Sequence, residues 1–320
     1  MAVITLTAAL SGCSAGPSSI EAAYDSIPQT CDKYTTGANA DKVSVTGDFG
    51  TKPTITFAAP LSTTVLETKV LSEGNGPKFV GAEMIKFEYT AYNAATGKEF
   101  AASKYDGSDS ISQLFTTGQK LDFCHALSGV KAGSRVAILI PALMAHDGKG
   151  DSTNGISPTD NLLFVIDVQQ VYLPHAVGEK QAQVSGMPTV VLAANGQPGV
   201  QIPKAEAPAA YKQVTLIQGH GDKVALGDTV TLHYSGFIWA SGTQFDSSWD
   251  KGAPVQWQLT ETGFIKGFVK ALTGAVVGSQ IMAVIPPSEG YGDQDQNAIP
   301  AGSTLVFVID ILGVDKAKTN

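Results

Sequence analysis

Apolar and polar residues alternate with a period of two along several segments in the last third of the chain. Residues 229–234 follow this alternation, residues 280–285 form an apolar stretch that ends at Pro286, and residues 304–312 are almost continuously apolar. Alternation is typical of a strand with one buried face, and a continuous β-branched run is typical of a central strand. These segments therefore predict a β-sheet.

One segment of the same region has helical spacing instead. Between residues 263 and 273, Phe264, Phe268 and Leu272 recur at intervals of four, and Gly274 follows at a position where helices commonly end. Many strands with a single short helix predict an α+β fold, in which an antiparallel β-sheet wraps around one short α-helix.

The pattern occurs twice in the chain, and corresponding residues of three pairs lie 145 positions apart while those of a fourth lie 143 apart. The four pairs are Tyr89 and Tyr234, Phe100 and Phe245, Gly133 and Gly278, and Phe164 and Phe307. This period is far longer than that of a solenoid repeat and indicates a duplicated domain. We call residues 53–174 the first copy and residues 188–314 the second copy, beginning at Pro53 and Pro188.

The remaining residues are predicted to be connections. Residues 1–12 are expected to be a signal peptide, 13–52 a polar tether, 175–187 a linker and 315–320 a C-terminal tail. Residues 1–10 are apolar, with a length that suits a signal peptide and is too short to span a bilayer.

The tetrapeptide Leu10-Ser11-Gly12-Cys13 resembles the lipobox of bacterial lipoproteins, although no Lys or Arg precedes it. The resemblance implies cleavage before Cys13 and lipidation of that cysteine. The protein would then be exported and held on the outer face of the bacterial cell membrane by its lipid anchor only. An ordinary buried N-terminal segment is the alternative.

Composition and cysteine count narrow the function classes. The chain has 21 Lys and Arg against 29 Asp and Glu, a net charge of −8 with no basic cluster, which argues against nucleic-acid binding. The five histidines lack metal-ligand spacing, so no metal or cofactor is expected. If Cys13 carries lipid, Cys31 and Cys124 either form a disulfide, which an exported protein could keep, or remain as two free thiols.

The second copy resembles the FKBP-type peptidyl-prolyl cis-trans isomerases. The residues that carry the resemblance are 230–236, 242–248, 264–268, 277–279, 286–292, Ile299-Pro300 and 304–307. The resemblance implies two tandem FKBP-like domains, with a complete pocket in the second copy and a degenerate one in the first. It also implies proline-containing polypeptide clients, binding of macrolide-type inhibitors, and a monomer.

The family's pocket can be carried over by position. Tyr234, Asp246 and Tyr291 match the residues that surround the reacting amide and are the predicted catalytic set. The predicted substrate-binding residues are Phe245, Val255, Phe264, Ile265, Phe268, Ile299 and Phe307. Because Phe268 stands where many members have Trp, and Val255 where an aromatic residue is common, a slightly roomier pocket is expected.

Such a pocket can isomerise an X–Pro bond without covalent chemistry. The amide resists rotation by about 18–20 kcal/mol because resonance makes its C–N bond partly double. A dry aromatic pocket penalises the planar, charge-separated amide more than the twisted transition state.

In the first copy, Ala101 takes the position of Asp246 and His146 that of Tyr291, so weak or absent activity is expected there. Two alternatives to an enzyme stay open from the sequence. They are a non-catalytic chaperone that binds proline-containing segments and a scaffold lipoprotein.

Overall fold

The computed structural model describes residues 16–81 and 83–317, so Cys13 and the predicted signal peptide lie outside the described residues. One helix and two strands precede the sheet of the first copy. They are α1 (Ile20–Asp25), β1 (Ser44–Thr46) and β2 (Thr54–Thr56). None of the helices in the described part of the chain is long and apolar enough to cross a membrane.

The first copy forms a six-stranded antiparallel sheet with two short helices. Its elements are β3 (Glu67–Ser72), β4 (Met84–Asn93), β5 (Lys98–Ala102), β6 (Ile111–Leu114), α2 (Phe123–Leu127), β7 (Arg135–Ile140), α3 (Ala142–His146) and β8 (Leu162–Val171). The strand order is β3-β7-β8-β4-β5, and β6 pairs with the other end of β4.

Three short strands follow before the sheet of the second copy. They are β9 (Glu179–Lys180), β10 (Thr189–Leu192) and β11 (Pro198–Gln201). The elements of the second copy are β12 (Lys212–Gln218), β13 (Thr229–Ile238), β14 (Gln244–Ser247), β15 (Val255–Gln258), α4 (Lys266–Leu272), β16 (Gln280–Ile285) and β17 (Leu305–Asp315). Three 3-10 turns lie at Ala40–Lys42, Ser152–Asn154 and Pro287–Glu289.

Apart from the additional strand β9, the two sheets have the same strand order. The second runs β9-β12-β16-β17-β13-β14, with β15 on β13, so each strand of the first copy has a counterpart. The register agrees as well, because Tyr89 pairs with Ile166 and Tyr234 pairs with Ile309. Strands with few helices, all paired antiparallel, make the α+β fold that the sequence predicted. The predicted helix at 263–273 is the shorter α4.

Each sheet is covered on both faces, which the sequence did not predict. One face packs against the helix of its copy, where Phe123 and Phe268 are buried. On the outer face of the second sheet, Val306 and Val308 pack against Val190 of β10. On that of the first sheet, a cluster of buried residues packs against β1 and β2. Double coverage explains why β8 and β17 are almost continuously apolar.

The boundaries of the repeat differ from the prediction. The matched elements begin at β3 and β12, whereas Pro53 and Pro188 precede strands that are not equivalent. Strand β2 pairs with β1 before it, and β10 pairs with β11 after it. Both strand pairs cover an outer sheet face, a role that depends on long-range packing and leaves little local signal.

The predicted tether over 13–52 is corrected for its described part. Ala23 and Ile27 of the α1 region are buried in the core of the second copy. Cys31 is bridged to Cys124 of α2, with Cα atoms 5.8 Å apart, within the range of disulfides. Apolar residues are sparse in this segment, so its polar composition concealed its packing against both copies.

The predicted linker over 175–187 is also part of the fold. The amide of Ala176 donates to the Asp310 carboxylate at 2.8 Å, and β9 pairs with β12. Nearby, Asp315 at the end of β17 accepts from the Tyr172 hydroxyl at 2.9 Å and forms an ion pair with Lys86 at 3.2 Å. The two copies are therefore held together by direct contacts.

Candidate active site: an aromatic cavity in the second copy

A cavity of about 350 Å³ opens between the sheet and the helix of the second copy. Its volume lies in the range of small-ligand sites, which are mostly apolar with a few polar groups. The residues that line it are Tyr234, Phe245, Asp246, Trp257, Thr262, Gly263, Phe264, Ile265, Phe268, Tyr291 and Phe307.

Neighbouring strands form one wall of the cavity. Gly236 of β13 pairs with Phe307 of β17 and with Asp246 of β14. A Cβ atom at Gly236 would lie 2.4 Å from the Phe245 ring and 3.0 Å from the Phe307 ring. Glycine at this position therefore lets the two rings close over the strand, and a side chain there would push them apart.

The helix forms the floor. Phe268 lies in the first turn of α4 and is buried, with its ring centroid 5.1 Å from that of Phe307 at an angle of 72°. Phe245 meets Phe307 at 5.5 Å and 84°. Edge-to-face pairs of this kind are favourable for aromatic rings and fix their orientation. The floor and one wall are thus a rigid apolar surface.

A polar group of three side chains stands at one side of the cavity. The Tyr234 hydroxyl donates to Asp246 Oδ2 at 2.5 Å, and Lys251 Nζ lies 2.7 Å from Asp246 Oδ1. Lys251 also lies over the Tyr234 ring, 5.8 Å from its centroid. The Asp246 carboxylate therefore fixes the Tyr234 ring and is itself held by a cation.

These contacts set the ionisation of the group. Burial raises the pKa of Asp246, but hydrogen bonds from Lys251 and Tyr234 outweigh burial and hold that pKa below its ordinary value. Burial and the hydrogen bond to Asp246 raise the pKa of Tyr234 to about 12. Asp246 is therefore an anion and Tyr234 a neutral phenol at neutral pH, and neither is suited to proton transfer.

Tyr291 stands on the open side of the cavity, just after the 3-10 turn Pro287–Glu289. The residue is 37% exposed, and no described residue hydrogen-bonds its hydroxyl. Gly292 follows with a positive φ of 62° and donates its amide to the Pro287 carbonyl, which closes the turn. The turn thus presents a hydroxyl that is free to bind a ligand.

The structure brings together eight of the ten predicted pocket residues. Val255 and Ile299 do not line the cavity. Val255 packs against the core from β15, and Ile299 is buried in the same core, in a loop closed by hydrogen bonds with Gln296.

Sequence reasoning missed Trp257, which lies two residues after Val255 on the same face of β15. Its ring is 5.1 Å from Tyr234 and 5.2 Å from Phe264. It supplies an aromatic wall next to Val255, where the sequence predicted a roomier pocket.

The equivalent region of the first copy is built differently. Ala101 has no carboxylate, and both nitrogens of His146 are bound inside the protein. Nε2 lies 2.8 Å from the Asp160 carbonyl, and Nδ1 accepts from the Gly150 amide at 3.0 Å. The rings of Phe123 and Phe164 pack edge to face at 5.3 Å. The aromatic positions of the second copy are thus repeated, with Tyr89 at the position of Tyr234, but without the Asp246 carboxylate and the free Tyr291 hydroxyl.

Metal binding has no support in the part of the chain that the structure describes. No cluster of three His, Cys, Asp or Glu side chains there could hold an ion.

Parts of the second copy match known proteins. A family model described as FKBP-type peptidyl-prolyl cis-trans isomerase matches residues 221–312. The crystal structure of FkpA from Escherichia coli aligns with a TM-score of 0.32 and 29% sequence identity, covering 43% of this chain and 55% of that one.

Two bacterial relatives match over nearly their whole length. An FK506-binding protein of Streptomyces anulatus is 35% identical over 120 residues, 37% of this chain and 97% of that protein. A probable FK506-binding protein of Corynebacterium glutamicum is 34% identical over 116 residues, 36% of this chain and 97% of that protein. The chain therefore belongs to the FKBP-type peptidyl-prolyl cis-trans isomerase family, as the sequence motifs predicted.

Proposed function

We propose that the second copy catalyses cis–trans isomerisation of X–Pro bonds in exported polypeptides. The observation that supports this most is the aromatic cavity, which combines an apolar floor with a fixed Tyr234–Asp246 pair and a free Tyr291 hydroxyl. A proline ring is the apolar group that would fill the floor formed by Phe268 and Phe307.

Catalysis would come from differential binding of the twisted amide. The planar amide carries charge separation that water stabilises, and the cavity replaces water with aromatic rings. The twisted state has lost that separation, so desolvation costs it less. Each tenfold of acceleration requires about 1.4 kcal/mol of such a difference.

The polar side chains would orient the substrate. Tyr291 would donate a hydrogen bond to a backbone carbonyl next to the proline. Asp246 would hold the Tyr234 ring and hydroxyl in place against the rotating bond. No bond is broken and no proton is transferred, so the isomerisation rate should be flat between about pH 6 and 8, well above the lowered pKa of Asp246.

The test is a Tyr291→Phe variant of the full chain, assayed on a short X–Pro peptide. The expected result is roughly a tenfold lower kcat/KM, because one hydrogen bond to the substrate is lost. Tyr92→Phe in the first copy, which also removes a phenolic hydroxyl, is the matched control and should be unchanged. Peptide binding without acceleration by the wild type would instead establish a non-catalytic binding protein.

Macrolide binding is part of the same proposal. The relatives are named for FK506, and the cavity offers the apolar floor and free hydroxyl that such a ligand needs. FK506 should compete with the X–Pro peptide, and a Phe268→Ala variant should lose this competition.

We also propose that the first copy is a diverged FKBP-like domain with little or no isomerase activity. Its strand order matches that of the second copy, while Ala101 and His146 replace the polar groups. Proline-containing polypeptides would be the clients of the second copy.

Export and lipid anchoring at Cys13 are a further proposal, supported by the lipobox-like tetrapeptide and by the disulfide in the described part of the chain. A Cys13→Ser variant should leave the membrane fraction and fail to incorporate labelled palmitate.

A further inference from the structure

The two copies differ at one edge of their sheets. In the second copy, the outermost long strand β12 is joined by residues 177–181. The Gln181 amide donates to the Leu216 carbonyl at 2.8 Å, and the Val177 amide donates to the Gly278 carbonyl at 3.0 Å. Between these bonds, β9 pairs with Ile217 and Gln218. An extended segment of the chain is thus added to this sheet as an extra strand.

The corresponding edge of the first copy carries no such strand among the described residues. The positions 145 residues earlier are Leu71 to Glu73 and Gly133, and β3 is the last strand of its sheet. The register shifts at the same place in both edges, between Val70 and Ser72 and between Thr215 and Ile217. The backbone groups of Leu71 and Glu73 therefore point outward, as those of Leu216 and Gln218 do.

The side chains at the two sheet edges also differ in burial. Ile217 is 6% exposed beneath β9, whereas Ser72 and Glu73 at the equivalent edge are exposed. The N-terminal segment hydrogen-bonds the far end of β3, where the Thr35 carbonyl accepts from the Thr68 amide at 2.9 Å. An edge with free backbone groups is a template for pairing with another chain.

A large groove lies beside this open edge. Its volume is about 920 Å³, and its walls come from α1, from the N-terminal segment and from the loops that flank β3 and β7. Apolar side chains of the walls include Ile20, Tyr24, Tyr34, Val70 and Val80. The groove thus offers apolar contacts next to unpaired backbone groups.

The charges around the groove are of both signs. Glu21, Lys33 and Lys78 line it, and Glu73 forms an ion pair with Lys131 at 2.7 Å. Because the groove is lined by both signs of charge, it does not favour a partner that is only positive or only negative. Since α1 forms one wall, the edge is recessed, which suits a single extended chain better than the edge of another folded sheet.

We propose that the β3 edge and this groove bind an extended segment of a client polypeptide by strand addition. Backbone hydrogen bonds would provide the affinity, and the apolar walls would receive alternate side chains. Because β9 already occupies the equivalent edge in the second copy, the site is specific to the first. It needs no proline in the client and is independent of isomerase activity.

Hydrogen exchange of the full chain tests the position of the site. The probe is a proline-free peptide of eight residues that alternates Val and Thr, with Lys at each end. Bound peptide should slow exchange of the Glu73 amide at least tenfold and leave the amide of Gln218, already paired with β9, unchanged. An unchanged Glu73 amide, or one already protected without peptide, would overturn the proposal.

A substitution at the edge tests the mode of binding. Glu73→Pro removes the outward N–H, whereas the control Glu73→Ala removes the same side chain and keeps that N–H. The first should weaken peptide binding at least tenfold and the second less than twofold, while both isomerise a short X–Pro peptide at the wild-type rate.

Equal binding by the two variants would refute strand addition, and self-association that the peptide disrupts would assign the edge to a second copy of this chain. If the proline variant does not fold, the exchange experiment alone decides, and neither result depends on the isomerase assay.

Discussion

The first and second copies share a strand order and differ in the side chains that meet at the aromatic cavity. Where the second copy places Asp246 and Tyr291, the first has Ala101 and a His146 whose ring nitrogens are both used internally. The comparison teaches that the sheet and the buried rings belong to the scaffold. The polar groups, on strand β14 and on the loop that carries Tyr291, convert that scaffold into a site.

A second contrast lies on the outer faces of the sheets. In the first copy Asp167 is fully buried and paired with Arg135 at 2.6 Å, and Arg135 also donates to the carbonyls of Gly47, Asp48 and Thr51. At the equivalent positions of the second copy, Asp310 accepts from the Gln280 side chain at 2.7 Å. One acid is held by a cation, and the other by neutral donors.

The largest expected effect comes from giving the Arg135–Asp167 pair of the first copy the glutamine that the second copy has at Gln280. Arg135→Gln leaves Asp167 buried without its cation and removes donors from three carbonyls. We expect the free energy of unfolding to fall by about 3–5 kcal/mol, as for other broken buried pairs. Urea unfolding of the full chain measures it. Lys52→Gln, which breaks an exposed pair with Glu99, is the control and should cost about 1 kcal/mol or less.

Two buried groups of the second copy, Asp310 and His233, should make its free energy of unfolding depend on pH. Burial raises the pKa of Asp310 to about 6, and burial and His175 lower the pKa of its cross-strand neighbour His233 to about 4. The Asp310 contribution is present at low pH and is lost as pH rises towards 6. The His233 contribution is present above pH 6.5 and is lost as pH falls towards 4.

The two contributions oppose each other, so single variants should reveal them. Relative to the wild type, Asp310→Asn should lose about 2–3 kcal/mol of stability between pH 6.5 and 4, and His233→Gln should lose a similar amount between pH 4 and 6. Urea unfolding at several pH values provides the curves. Parallel curves for wild type and both variants would contradict the assigned pKa directions.

A smaller effect is expected from making the cavity resemble the first copy. Asp246→Ala removes the anchor of the Tyr234 hydroxyl, as Ala101 does by nature. Isomerisation of an X–Pro peptide should slow about tenfold, close to 1.4 kcal/mol. Asp147→Ala, which removes an exposed carboxylate from the first copy, should leave the rate unchanged. An undiminished rate in Asp246→Ala would show that the acid is not needed.

The smallest effect is expected from introducing the polar residues of the second copy into the first. Ala101→Asp with His146→Tyr, in a chain whose own second copy carries Asp246→Ala, should not restore activity. Gln119 and Lys120 still stand where Phe264 and Ile265 line the cavity, and Phe115 packs against Phe123 at 5.2 Å. The isomerase assay on the full chain measures this. Recovery of the wild-type rate would mean that two side chains suffice.

Much of the fold and site could be predicted from the sequence, because both rest on local patterns. Period-two alternation marked the central strands, and short motifs in fixed order brought eight wall residues to one cavity. Trp257 was missed because no local signal distinguishes a cavity ring from a core ring. The sequence did not predict the packing of β1, β2 and β9. This packing depends on a few apolar residues and on contacts with parts of the chain that are distant in sequence.

The Cys31–Cys124 bridge lies wholly on the side of the first copy, and closing a loop of this length stabilises a domain by several kcal/mol. The bridge does not cross-link the second copy, which holds the aromatic cavity. A thiol reductant should therefore destabilise the first copy more than the second. Material produced in a reducing cytoplasm would keep a working cavity beside a weakened neighbour.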